Sequence, residues 1–78
     1  MTKESITEEL ITLAKNRFNF SASLAASDDF YNALGIDSFQ AMELLTDIEN
    51  HFDIEVPDYE LNGVTTFDAL GAVIKERV

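Results

Sequence analysis

The sequence predicts an all-α fold, a compact helical bundle made of three main helices and one short helix. The chain has 78 residues and no cysteine, so its core must form without a disulfide or a thiolate metal site. Hydrophobic residues make up 46% of the sequence, which suffices for one core, and most of them recur at helical spacing. We therefore expect residues 1–78 to form a single domain.

The first helix is predicted to begin at Ser5, where Glu8, three residues later, would complete a capping box. The following segment, residues 16–27, is rich in Asn, Ser and Ala and is predicted to be a long loop that Leu24 anchors to the core. A short helical turn is predicted over residues 30–34. The inward positions of the first helix, at helical spacing, are Ile6, Leu10, Leu13, Ala14 and either Arg17 or Phe18.

The second helix is predicted to run from about Ser38 to Phe52, after Gly35 ends the preceding turn. Its outer face carries apolar as well as acidic side chains, so this helix presents more than a plain solvated surface. The predicted buried stripe consists of Ala41, Leu44, Leu45, Ile48 and Phe52. The predicted outer face consists of Phe39, Met42, Glu43, Thr46 and Asn50.

The last third of the chain is predicted to form a short turn and then a third main helix. Residues 53–57 alternate like a strand, but the run is short and has no partner strand. Pro57 is predicted to open a helical turn that ends at Gly63. Gly71 costs about 1 kcal/mol relative to alanine inside a helix, which indicates a close helix contact. The final helix would begin near residue 65 or 66, with Phe67, Leu70, Val73, Ile74 and Val78 facing inward.

The composition is strongly acidic, with 5 Lys and Arg against 15 Asp and Glu and a formal net charge of −10. Nucleic acids and anionic membranes are unfavourable partners for such a surface, whereas basic protein patches are favourable. The acidity could also serve solubility alone. No apolar run approaches the roughly 18 residues of a membrane-spanning helix. Residues 1–5 lead into a charged amphipathic segment rather than a signal peptide, so we expect a cytoplasmic protein.

The side chains available for catalysis are few, which argues against an enzyme. The single histidine, His51, lies on the same predicted helix as Ser38, about 20 Å away at a rise of about 1.5 Å per residue, so the two cannot form a dyad. The acidic run that begins at Asp53 lacks the glycine turn of a calcium-binding EF-hand loop. The glycines are isolated and form no phosphate-binding loop. A small hydrolase or metal protein is therefore the alternative that the residues support least.

Ser38 is the most informative candidate, because it lies at the head of the second helix. Asp37 and Ser38 are both residue types that cap helices, so one of them is redundant for the cap. If Asp37 caps together with Gln40, the hydroxyl of Ser38 is left free, at a helix N-terminus that favours a phosphate group. The pattern allows two interpretations: a serine that only caps the helix, or a serine that is covalently modified.

Four short segments carry a resemblance to a known family. They are Gly35-Ile36-Asp37-Ser38-Phe39, Glu43-Leu44-Leu45, Ile48-Glu49 and Phe52-Asp53-Ile54-Glu55-Val56-Pro57-Asp58. Together and at this spacing they resemble the acyl carrier protein family. The likeness covers residues 24–78 and is densest over residues 34–58. The resemblance implies a small antiparallel four-helix bundle with 4'-phosphopantetheine esterified to Ser38. It also implies that the helix starting there docks on partner enzymes, through Asp37, Phe39, Met42, Glu43, Asp47 and Glu49.

Phe39 departs from the family pattern, because most fatty-acid carriers have Leu there, and an Asp-Ser-Phe triplet is similar to D-alanyl and small aminoacyl carriers. The resemblance implies a non-catalytic, monomeric carrier of acyl or aminoacyl groups in fatty acid, polyketide or related biosynthesis. Its partners would be a phosphopantetheinyl transferase, an enzyme that loads the cargo, and downstream synthases with basic patches. A long acyl cargo would need a cavity lined by residues such as Leu44, Leu45, Ile48 and Ile54. The alternatives are a D-alanyl or aminoacyl carrier outside fatty acid synthesis, or an unmodified acidic module that docks through Phe39 and Met42.

Overall fold

The computed structural model describes residues 2–78 and contains four α-helices and one short 3₁₀ helix. No strand occurs within these residues; an isolated antiparallel bridge joins Asp29 to Thr66. The predicted all-α fold, with three long helices and a short one, is confirmed. The elements are α1 (Lys3–Phe18), α2 (Phe30–Leu34), α3 (Ser38–Phe52), the 3₁₀ helix (Asp58–Leu61) and α4 (Phe67–Lys75).

The start of α1 differs from the prediction, because the helix begins at Lys3 and not at Ser5. The hydroxyl of Thr2 accepts a hydrogen bond from the backbone N–H of Ser5 at 3.1 Å, so Thr2 is the N-cap. The bounds of α3 match the prediction at both ends. The N-cap of α4 is Thr66, whose hydroxyl accepts from the N–H of Ala69 at 3.1 Å.

The first three helices each end at a residue with left-handed backbone geometry. Asn19 has φ 52° after α1, Gly35 has φ 66° after α2, and Asp53 has φ 56° after α3. Such a residue reverses the chain at a helix C-terminus and lets the last carbonyls find donors. Gly35 therefore stops α2 and turns the backbone into the start of α3.

The core lies between the three long helices, and Phe30 and Val56 complete it. Leu24 is partly buried against this core, as predicted for the long loop. The prediction for Val78 was wrong: its side chain is 51% exposed, because α4 ends at Lys75 and its helical period does not continue to the last residue. The buried apolar residues of the long helices are Ile6, Leu10, Ala14, Leu44, Leu45, Ile48, Phe67, Leu70 and Ile74.

Helix α1 packs on both α3 and α4. Arg17 contacts Asp47, and Glu9 contacts His51, so residue numbers rise along α1 as they fall along α3 and the two helices are antiparallel. Gly71 of α4 lies against α1, where an added Cβ would be 2.3 Å from the hydroxyl oxygen of Thr7. The close helix contact that Gly71 predicts is therefore confirmed.

Candidate functional site

Ser38 is the first residue of α3, and its side chain is exposed. The carboxylate of Asp37 accepts a hydrogen bond from the N–H of Gln40 at 2.9 Å, and the side-chain oxygen of Gln40 accepts from the N–H of Asp37 at 3.2 Å. This capping box is the one predicted from the sequence, and it leaves Ser38 without a capping role. Within residues 2–78 no hydrogen bond to the Ser38 hydroxyl is found, so the cap does not hold this hydroxyl.

The backbone around Ser38 suits a phosphate ester. The helix that begins there has 15 residues, and the N–H groups of a first turn together with the helix dipole favour negative charge. An exposed hydroxyl oxygen also leaves room for a long substituent that extends into solvent. The residues present therefore fit a group attached through a phosphodiester at this position.

An exposed apolar surface continues from Ser38 along the outer face of α3. Phe39 is 74% exposed and Met42 is 48% exposed, as the helical period predicted. Large apolar side chains on a surface are typical of sites where a partner protein binds. Asp37 is exposed beside them. These three residues are therefore accessible to a docking enzyme.

The three acidic residues predicted for docking on α3 each have a contact within the protein. Arg17 donates from Nε to Asp47 Oδ2 at 2.5 Å and from Nη2 to Asp47 Oδ1 at 3.1 Å. Its Nη1 lies 3.7 Å from Glu43 Oε2. The carboxylate of Glu49 accepts from the backbone N–H of Val56 at 2.8 Å and so holds the segment after α3. The docking role of these acids stays a prediction. The pairing of Arg17 with Asp47 and Glu43 was not predicted from the sequence.

An apolar cavity of about 60 Å³ lies behind α3. Leu44, Leu45 and Ile48 line it as predicted, whereas Ile54 does not and lies instead beside a polar surface groove. Met42 lines the cavity and is also exposed, so it sits where the cavity meets the surface. The lining includes no charged side chain. Its other members, which the sequence analysis did not name as lining, are Phe30, Tyr31, Ala41, Leu61, Val64 and Leu70.

Some charged side chains form pairs away from Ser38, among them Lys3 with Asp68 and His51 with Glu9. His51 Nε2 lies 3.0 Å from Glu9 Oε1, so the histidine contacts α1 at the far end of α3 from Ser38. Within residues 2–78 there is no group of three His, Cys, Asp or Glu side chains placed to hold a metal ion. None of the helices in that part of the chain combines the length and apolar character needed to cross a membrane.

Comparisons with known proteins identify the family of the chain. Residues 8–74 match the family described as "Phosphopantetheine attachment site". The acyl carrier protein of Prochlorococcus marinus (strain MIT 9515) is 33% identical to this chain over 67 residues, which are 85% of this chain and 84% of that relative. Proteins of this family are carriers, and their covalently attached prosthetic group is 4'-phosphopantetheine. The chain belongs to the acyl carrier protein family.

Proposed function

We propose that this protein carries acyl groups on 4'-phosphopantetheine attached to Ser38 and presents them to enzymes of fatty acid, polyketide or related biosynthesis. The observation that carries the proposal is that Ser38 is exposed and takes no part in the helix cap. Its hydroxyl lies at the start of α3 and has no hydrogen-bond partner within residues 2–78, because Asp37 and Gln40 cap the helix without it.

Attachment would require a phosphopantetheinyl transferase, coenzyme A and Mg²⁺. Ser38 Oγ would lose its proton to a base of the transferase and bond to the phosphorus that carries pantetheine. The bond from that phosphorus to the nucleotide half of coenzyme A would break, and adenosine 3',5'-bisphosphate would leave. The chain has no cysteine, and the bound group supplies the thiol that holds cargo as a thioester. The start of α3 contributes the nucleophile and a backbone that stabilises the phosphodiester charge.

The cavity behind α3 supports an apolar acyl cargo. Its lining residues are apolar or aromatic and include no carboxylate, so an aminoacyl ammonium group would find no counter-ion there. Burial of an unpaired charge is strongly unfavourable. An alkyl chain faces no such cost, and a cavity of about 60 Å³ offers room for its first carbons.

A D-alanyl or aminoacyl carrier is the second candidate, because Phe39 completes an Asp-Ser-Phe triplet that is similar to that of such carriers. This side chain follows Ser38 and is 74% exposed, so any enzyme that reaches the attachment point meets an aromatic ring. A bulky residue there selects among partner surfaces. In this alternative a charged cargo would remain in solvent outside the cavity.

Docking would combine the exposed apolar residues with the acidic face of α3. Phe39 and Met42 supply apolar contact, and Asp37, Glu43, Asp47 and Glu49 supply negative charge toward basic patches. Charge complementarity of this kind raises association rates more than it raises final affinity. Weak docking suits a carrier, because a tethered cargo already has a high effective concentration at the docked active site.

The direct test is the intact mass of the protein after incubation with coenzyme A, Mg²⁺ and a broad-specificity transferase. We expect one added phosphopantetheine on the wild-type protein and none on Ser38→Ala. Ser23→Ala, a change at another exposed serine, serves as the matched control and should be modified normally. If the wild-type protein stayed unmodified while a known carrier reacted in the same mixture, an unmodified interaction module would be the better explanation.

A further inference from the structure

Arg17 is a cation set against an otherwise acidic helix face. Residues 38–52, which form α3, contain no Lys or Arg. Arg17 of α1 reaches across to Asp47 with two hydrogen bonds, at 2.5 and 3.1 Å, and lies 3.7 Å from Glu43. Glu43 and Asp47 are four residues apart and therefore lie on the same side of α3.

The geometry of the Arg17 contact limits what another cation can do at Asp47. Each oxygen of the Asp47 carboxylate accepts one N–H of the same guanidinium, so the side of the carboxylate that can form a two-bond pair is occupied, while each oxygen can still accept one further donor. A second arginine could form its own two-bond pair with Asp47 only after Arg17 had moved away. The Glu43 contact is longer and involves one oxygen, so Glu43 remains more open to a partner.

The Arg17 contact is also accessible from solvent. The side chains of Arg17, Glu43 and Asp47 keep 31%, 42% and 34% of their surface exposed. The hydrogen bond to Asp47 raises the pKa of the Arg17 guanidinium, a group that is charged at physiological pH in any case. An exposed ion pair of this kind is weak enough for a partner to displace.

We propose that Arg17 determines partner specificity by occupying Asp47 and competing for it with basic side chains of docking enzymes. The inference rests on the proposed carrier function, because it assigns a role within the docking face of that carrier. An enzyme whose basic patch needs a two-bond contact with Asp47 must displace Arg17. An enzyme that relies on Glu43 and the apolar surface of Phe39 and Met42 binds without displacing it.

The test measures KM and kcat of a phosphopantetheinyl transferase with a basic docking patch, using the apo protein as substrate at low and high salt. We expect Arg17→Gln to lower KM by about two- to fivefold at low salt with kcat unchanged. The difference should close at high salt, because exposed charges are screened. Arg17→Lys keeps the charge but loses the two-pronged contact, so its KM should be intermediate.

A double-mutant cycle separates masking of Asp47 from a general charge effect. Asp47→Asn should raise KM more in the Arg17→Gln background than in the wild-type protein, because only there is the carboxylate free. Lys75→Gln removes the same charge from α4, at a surface lined by Lys3, Ala72, Glu76 and Val78 with no residue of α3, and should change KM less. Thermal unfolding of each variant checks that all are folded.

Three results would overturn the inference while the carrier function stands: a higher KM for Arg17→Gln, an equal effect of Asp47→Asn in both backgrounds, or an equal fall in KM for Lys75→Gln. In each case modification of wild-type Ser38 would still be seen by intact mass. If the wild-type protein were not modified while a reference carrier was, the carrier function and the role of Arg17 would both be wrong.

Discussion

Replacement of Gly71 by alanine should lower the free energy of unfolding, although alanine is the better helix former. Gly71 is buried in α4, and a Cβ at this position would be 2.3 Å from the Thr7 hydroxyl oxygen. That oxygen cannot move freely, because it donates a hydrogen bond to the carbonyl of Lys3 at 2.8 Å and belongs to a short branched side chain. The new methyl group must therefore push α1 and α4 apart or rotate Thr7 out of its hydrogen bond.

The magnitude follows from three contributions to the stability of Gly71→Ala. Overpacking of a close contact costs about 1–3 kcal/mol. Loss of the Thr7 hydrogen bond costs about 0.5–1.5 kcal/mol. The higher helix propensity of alanine raises the free energy of unfolding by about 1 kcal/mol. If both costs are met, the net loss is about 0.5–3.5 kcal/mol, which corresponds to a fall of at least roughly 2 °C in Tm for a domain of this size.

The assay is urea and thermal unfolding followed by far-ultraviolet circular dichroism, with Thr7→Ala as the second variant. In the Thr7→Ala background the new Cβ at residue 71 would lie 3.5 Å from the Cβ of residue 7 and 3.6 Å from the carbonyl oxygen of Lys3. Both distances are ordinary van der Waals contacts. There Gly71→Ala should be neutral or stabilising by up to about 1 kcal/mol. Ala72→Gly, at the exposed neighbouring position, should cost about 1 kcal/mol and calibrates helix propensity. A loss for Gly71→Ala that persisted unchanged in the Thr7→Ala background would refute the steric argument.

Two further predictions concern α3. Asp37→Ala should lower stability by about 0.5–2 kcal/mol, because the N–H of Gln40 loses its acceptor, whereas Asp37→Asn keeps a capping oxygen and should cost less; equal losses in urea unfolding would show that the cap contributes little. Loading with acyl chains of increasing length should raise Tm until the cavity is filled, because each buried CH₂ adds about 0.8 kcal/mol to the free energy of unfolding. Ala41→Leu places a larger side chain in the cavity and should remove this dependence on chain length. A Tm that did not change with chain length in the unsubstituted protein would contradict burial of the cargo.

Helix α3 could be predicted to the residue because independent signals in the sequence agree there. Gly35 stops the preceding helix, Asp37 and Gln40 form a cap, and the apolar stripe runs without interruption to Phe52. The start of α1 was missed because two overlapping caps compete in the sequence. The earlier cap, Thr2, adds a further stretch of helix that brings Lys3 to Asp68 at 2.9 Å, a contact between residues far apart in sequence.

The role of Arg17 could not be predicted for a related reason. Helical spacing left Arg17 and Phe18 as alternatives for the inward position, and the structure packs Phe18 against the core. The partner of Arg17 is Asp47, thirty residues away, and only the antiparallel placement of α1 on α3 brings the two together. Local sequence patterns carry no information about that placement, so the exposed residues of α3 could be predicted but the pairing of its acids could not.

The cavity behind α3 links the stability of the bundle to its proposed cargo. Leu44, Leu45 and Ile48 belong to the buried core and also line a space of about 60 Å³. At about 24 cal/mol per Å³, the value for a closed and dry cavity, leaving such a space empty costs at most on the order of 1.4 kcal/mol, because the lining atoms lack contacts on one side. A core shaped for stability alone would fill that space with a larger side chain at Ala41. An alkyl chain that enters beside Met42 would restore the missing contacts. The residues that line the empty cavity therefore lower the stability of the unloaded bundle and also favour transfer of an apolar cargo from water into the cavity.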